Sequence, residues 1–156
     1  MTDMHTEDTR RDGLRVLRER VRGLGPIRMA VVHPCDETSL RAALDARREG
    51  LIAPILVAPR ARLEQTAGTL GVSLRGIDIQ DAPHSHAAAE QAVALARAGE
   101  VDALMKGSLH TDELMGAVVA RDGLRTSRRV SHCYLLRTPH YPRPFIVTDA
   151  AINIAP

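Results

Sequence analysis

The residues best suited to chemistry stand together in Lys106-Gly107-Ser108-Leu109-His110-Thr111, between the apolar run Val101 to Met105 and the acidic pair Asp112-Glu113. The pattern reads as a short buried strand, a tight polar loop and the start of a helix. Open α/β sheets place ligands outside the carboxyl ends of their strands, at such junctions. Gly107 lets backbone approach a ligand closely, and Ser108, His110 and Thr111 supply hydrogen-bonding groups. Free N–H groups at the helix start favour an anion. Lys106 is the only lysine in a chain that otherwise carries its positive charge on arginine. The same residue types also meet the turn and capping needs of any strand-to-helix junction. Asp112 and Glu113 already complement the helix dipole, which competes with a bound anion.

Other clusters are weaker. His84 and His86 stand two apart, a spacing that does not share a helix face, and read as polar residues at a helix entry. His132 and Cys133 are neighbours in a strand and point to opposite faces, which disfavours joint metal ligation. Cys35 follows a strand and reads most simply as a small buried hydrophobe. Asp102 reads as a turn residue, and Arg47 and Arg48 as a solvated helix end. No metal site is expected.

The elements that must position the loop follow from periodicity. The chain has 156 residues with 44% hydrophobic and 26% charged, the balance of one globular domain. Only Tyr134, Tyr141 and Phe145 are aromatic, so the core is aliphatic and a base-stacking platform is disfavoured. The net charge of +2 is no nucleic-acid footprint. The arginines from Arg10 to Arg22 surround Leu14, Leu17, Val21 and Leu24 as the solvated face of an amphipathic first helix. Two cysteines make no disulfide framework, no apolar run is long enough to cross a membrane, and residues 1–8 lack the order of a signal peptide. A cytoplasmic protein is expected.

Strands are expected at Ile27–His33, Ile52–Ala58, Gly76–Gln80, from Val101, at Val130–Leu136 and at Pro144–Thr148. Helices are expected after Asp36, over Arg60–Leu70, over His84–Ala98 and from Thr111 to about Arg121. Alternation of this kind predicts βαβ units, a mostly parallel sheet and a three-layer α/β/α architecture. The organisation expected is an N-terminal helix and linker (1–25), an α/β domain (26–149) and a further start at 150–156.

Several blocks in register carry a resemblance. Met105 to Met115, Gly123-Leu124-Arg125-Thr126, Arg128-Arg129-Val130-Ser131-His132, Tyr141-Pro142-Arg143-Pro144 and Thr148-Asp149-Ala150-Ala151-Ile152-Asn153-Ile154 resemble the phosphate acetyl/butyryltransferase family. Their order and spacing resemble its butyryltransferase-like branch. The resemblance implies acyl exchange between coenzyme A and inorganic phosphate, with coenzyme A a substrate and no permanently bound cofactor. It implies the first domain of an isocitrate/isopropylmalate dehydrogenase-like fold, usually as a homodimer. It also implies that the catalytic aspartate, and a serine and arginine that stabilise the acyl group, belong to a later half of the family's chain. No catalytic residue is assigned in this one. The residues implied to meet phosphate or substrate are Lys106, Gly107, Ser108, His110, Thr111, Arg128, Arg129, Asp149 and Asn153. Two alternatives stand beside an enzyme with an incomplete site: a non-catalytic module or truncated remnant binding coenzyme A or acyl phosphate, and a hydroxyacid dehydrogenase relative. The latter wants clustered metal-binding aspartates, which the sequence does not display. If strands 130–148 lack a covering half, their apolar faces stay exposed or drive self-association.

Overall fold

The computed structural model describes residues 15–138, 140–141 and 143–149. These fall into two compact units, one of them Gly25–Arg125. Leu14, Arg10, Arg11 and Asn153, named above, lie outside the described residues.

In the unit Gly25–Arg125, strands β1 (Ile27–Val32), β2 (Ile52–Ala58), β3 (Asp78–Asp81) and β4 (Ala103–Lys106) form one sheet in the order β3-β2-β1-β4. Every pairing in it is parallel. Side chains of alternate strand residues leave opposite faces, and the core divides accordingly. Val31, Leu56 and Ala58 pack with Leu40 and Ala43 of α2 (Glu37–Arg48) and with Leu63 and Ala67 of α3 (Arg60–Leu70). Ala30, Val32 and Val57 pack with Ala88, Ala89 and Ala92 of α4 (Ser85–Arg97) and with Leu114 of α5 (Thr111–Val119). The small residues of α4 let the helix lie close on the sheet. This is the expected three-layer architecture.

Local signals set the helix ends. Asp36 accepts from the Ser39 N–H at 2.7 Å and caps α2. Gly71, at φ 64°, closes α3 in the left-handed conformation common after a helix. His84 caps α4 by accepting from the Ala87 N–H at 3.2 Å, the helix-entry role read from the sequence. Arg47 donates to the Gly76 carbonyl at 2.8 Å, which ties the end of α2 to the approach to β3.

The chain moves outward from β1 to β2 to β3, then returns through α4 to the other side of β1. The direction of winding therefore reverses between β1 and β4. Such a reversal separates the loops leaving two adjacent strands, and ligands of open sheets bind there.

The second unit holds α1 (Arg15–Arg22) and the strands β5 (Cys133–Leu136) and β6 (Phe145–Thr148). β5 and β6 are strands as expected, and they pair antiparallel with each other in a two-stranded sheet. The reason is length: a parallel connection needs a crossover of about a dozen residues or more, and residues 137–144 are too few. Tyr134, Leu135, Leu136 and Ile146 are exposed. No described helix is long and apolar enough to cross a membrane.

Candidate functional site

The loops leaving β1 and β4 meet at the winding reversal. β1 ends at Val32, one residue short of the strand expected. His33 still donates its N–H to the Val57 carbonyl at 2.8 Å, continuing the ladder to β2. Its φ of 53° then turns the chain off the sheet. A non-glycine residue in that region is uncommon, and such outliers gather at functional positions. The Cys35 N–H returns to the His33 carbonyl at 2.9 Å, which closes the turn. His33 is the only buried polar or charged side chain among the described residues, at 6% exposure.

The β4 exit lies directly against this turn. Gly107 N–H donates to the Val32 carbonyl at 2.8 Å, and Ser108 N–H to the His33 carbonyl at 2.9 Å. A Cβ on Gly107 would run into the Val32 carbonyl oxygen and come within 2.6 Å of that of His33. Glycine is required here because two backbones touch. The Ser108 hydroxyl contacts the His33 carbonyl at 2.8 Å, His33 Nδ1 at 3.2 Å and the Cys35 N–H at 3.2 Å. Leu109 is buried among the α4 and α5 core residues and pins the loop from below.

Lys106 curls back over the loop, its Nζ donating to the carbonyls of Leu109 at 2.8 Å and Gly107 at 3.2 Å. His110 is the N-terminal cap of α5, in an extended conformation, and its side chain makes no capping bond. His110 and Thr111 are exposed beside the first turn, with Asp112 and Glu113. The arrangement offers backbone N–H groups and an ammonium at one strand end, the equipment for holding an oxyanion. The Ser108 hydroxyl is engaged with the β1 turn.

Electrostatics follow from these contacts. Burial pushes His33 below its ordinary value, helped by the Arg62 guanidinium and opposed by Glu113 and Asp36. Burial raises the Cys35 thiol, a half-buried group that behaves as the small hydrophobe expected. The hydrogen bonds from Ser39 hold Asp36 below the usual carboxylate range, and Lys106 adds to the shift. A cleft of about 300 Å³ adjoins the β1 turn, lined by Cys35, Asp36, Arg62 and Thr66. A larger groove of about 600 Å³ runs between α4 and α5, lined by Glu90, Arg97, Asp112, Glu113 and Asp122 over Val93.

Of the residues expected to serve one site, Lys106, Gly107, Ser108, His110 and Thr111 are consecutive on this loop or its helix start. Arg128, Arg129 and Asp149 belong to the other compact unit. There, Asp149 adopts φ 58° at the end of β6, and its carboxylate accepts from the hydroxyls of Ser131 at 2.8 Å and Thr148 at 3.1 Å. His33 is a functional candidate that the structure adds to these. Its one signal was a polar residue ending the apolar run of β1, before Pro34. Among the described residues, no three His, Cys, Asp or Glu gather as metal ligands.

Comparison with known proteins gives the following. No family model matches the chain. It is 51% identical over 138 residues to a phosphate acetyltransferase of Rickettsia typhi, which covers 88% of this chain and 40% of that protein. It is 32% identical over 130 residues to a phosphate butyryltransferase of Clostridium acetobutylicum, covering 83% of this chain and 43% of that one. The chain thus spans about two fifths of the length of the curated relatives it matches. Among solved structures, the EutD phosphotransacetylase from Staphylococcus aureus superposes with a TM-score of 0.68 at 17% identity, over 92% of this chain and 51% of that one. At that identity the superposition speaks for the fold.

Proposed function

Because this chain corresponds to the N-terminal part of the phosphate acetyl/butyryltransferase family, we propose that its β4–α5 loop holds the phosphate group of an acyl phosphate during acyl exchange with coenzyme A. The observation that carries this reading is the loop itself. Gly107 brings the β4 exit against the β1 turn, and the following helix start has no side-chain cap to occupy its N–H groups. Lys106 stands over the same loop.

Acyl transfer from an acyl phosphate to a thiol needs a base for the thiol, donors for the developing oxyanion, and positive or N–H groups around the departing phosphate. In this reading the described loop serves the third need, with Gly107, Lys106, His110 and Thr111 nearest the phosphate. Ser108 acts from behind, through the β1 turn. Arg128, Arg129, Asp149 and Asn153 are proposed as further substrate contacts. The parallel unit is read as the counterpart of the first domain of an isocitrate/isopropylmalate dehydrogenase-like fold. A cytoplasmic homodimer is the proposed assembly, supported by the exposed side chains of Tyr134, Leu135 and Ile146.

The test pairs binding with turnover. Inorganic phosphate titrated into the ¹⁵N-labelled protein is expected to shift the amides of 107–113. Thioester formation from coenzyme A is assayed with acetyl and butyryl phosphate, beside a full-length relative as positive control. Shifts with turnover support the enzyme, and shifts without it support a binding module. Amides 107–113 unmoved at saturating phosphate would remove the loop from the site.

A further inference from the structure

We propose that His33 is the positioning residue of the phosphate loop: its ring donates Nδ1–H to the Ser108 hydroxyl and so holds Gly107 to Leu109 against the β1 turn. The phosphate role of that loop rests on the reading above. The hydrogen bond and its effect on the loop do not.

The proton positions follow from counting. Ser108 Oγ has three polar neighbours: the Cys35 N–H, the His33 carbonyl and His33 Nδ1. A hydroxyl offers one proton and two acceptor sites. The Cys35 N–H can only donate. The carbonyl has no proton, so at an O···O separation of 2.8 Å the hydroxyl proton must lie between those oxygens. Nothing remains for Nδ1 to accept. The ring must therefore carry a proton on Nδ1, and the serine oxygen is saturated by two donors and one acceptor. A saturated, partly buried hydroxyl is unsuited to attack or to direct phosphate binding, but well suited to fixing two loops.

The backbone argues the same way. His33 holds a left-handed φ of 53° that a side chain ordinarily resists. With that turn, the His33 carbonyl receives the N–H groups of Cys35 and Ser108 together with the Ser108 hydroxyl. The ring returns from the same residue to grip the other side of that hydroxyl. Glycine would satisfy the turn without the grip. Asparagine tolerates the same φ and carries an N–H donor at about the reach of Nδ1. Burial also favours the neutral ring, with Arg62 of α3 opposing its charge while Glu113 of α5 and neighbouring Asp36 favour it.

Three measurements on the 156-residue protein test the proposal. The first is the ¹⁵N signature of the His33 ring, expected to report Nδ1–H and to change in Ser108→Ala. A ring protonated on Nε2 alone would overturn it. The second is hydrogen exchange at the Gly107 and Ser108 amides, expected to accelerate about tenfold in His33→Gly and to return toward wild type in His33→Asn. Equal protection in both variants would overturn it. Should His33→Gly fail to fold, the ring signature and the His33→Asn protection still decide. The third is inorganic phosphate titration, where His33→Gly is expected to bind about tenfold more weakly than His33→Asn. If wild type binds no phosphate, the phosphate reading falls, while the ring and exchange results still judge His33 as the loop's positioning residue.

Discussion

β1 and β4 are tied together twice, once at each end, and the two ties are built differently. At the amino-terminal end, Arg28 grips Asp102 with Nη2–Oδ1 at 2.6 Å and Nε–Oδ2 at 3.0 Å, and donates to the Gly99 carbonyl at 2.8 Å. Both charged groups are about half exposed, at 52% and 49%. At the carboxyl-terminal end the tie is partly buried and carries no ion pair: Gly107 against the backbone of β1, and His33 against Ser108. Water competes for the whole of the first tie, whereas in the second it reaches Ser108 while His33 and Gly107 are buried. An exposed ion pair sets register with little energy at stake. A buried network is costly to leave half satisfied, so it fixes one arrangement. The end that holds the left-handed His33 and the close backbone contact is the end where we propose that phosphate binds.

This contrast is broken most sharply at Gly107. Gly107→Ala forces a Cβ into the β1 carbonyls and is expected to destabilise the protein by about 3 kcal/mol in urea unfolding. A midpoint equal to wild type would show that the two loops do not touch. Ser108→Ala comes next, at about 1–3 kcal/mol, since it removes the acceptor of the buried His33 ring. Asp36→Ala removes the α2 cap and is expected to cost about 1 kcal/mol. The two serine and aspartate variants can be ranked in one denaturant series, and a reversed order would favour the cap over the loop as the stronger restraint.

Acidification gives a smaller and more specific signal. His33 binds its proton less readily in the folded state than in the unfolded chain, so the unfolded state holds more protons below the ordinary value of 6.5. The stability contributed by the neutral ring is present above that pH. It is lost progressively as pH falls toward the depressed folded value. His33→Asn is expected to flatten that part of the profile, and an unchanged slope in the variant would assign the effect elsewhere. Asp36 and Asp102 have depressed values, so their contributions persist until more acid conditions. The smallest effect belongs to the amino-terminal tie. Arg28→Ala is expected to leave the unfolding midpoint almost unmoved and to erase what little salt dependence this pair supplies. A loss rivalling Ser108→Ala would end the contrast between the two ends.

Much of the fold was legible in one dimension. Apolar runs marked β1, β2 and β4, and the capping residues Asp36 and His84 and the stop Gly71 marked their helices, because these signals act within a few residues. Of the site, the stretch Lys106 to Thr111 stood out because glycine, polar residues and a helix start coincide there. His33 did not. Its significance comes from a partner 75 positions away, and one histidine at a strand end looks the same with or without that partner. The apolar pattern marks β5 and β6 as strands but not their partners, since pairing depends on connection length and available edges as well.

The sequence by itself determined which segments become strands and helices, where the helices start, and that a glycine loop follows β4. Those choices rest on side-chain period and local hydrogen bonding, which neighbouring residues supply. Only the tertiary structure decided that β4 lies beside β1, and therefore that Ser108 faces a turned His33 carbonyl and a buried ring. That juxtaposition is a property of sheet order, fixed when α4 carries the chain back across the sheet and buries its alanine face.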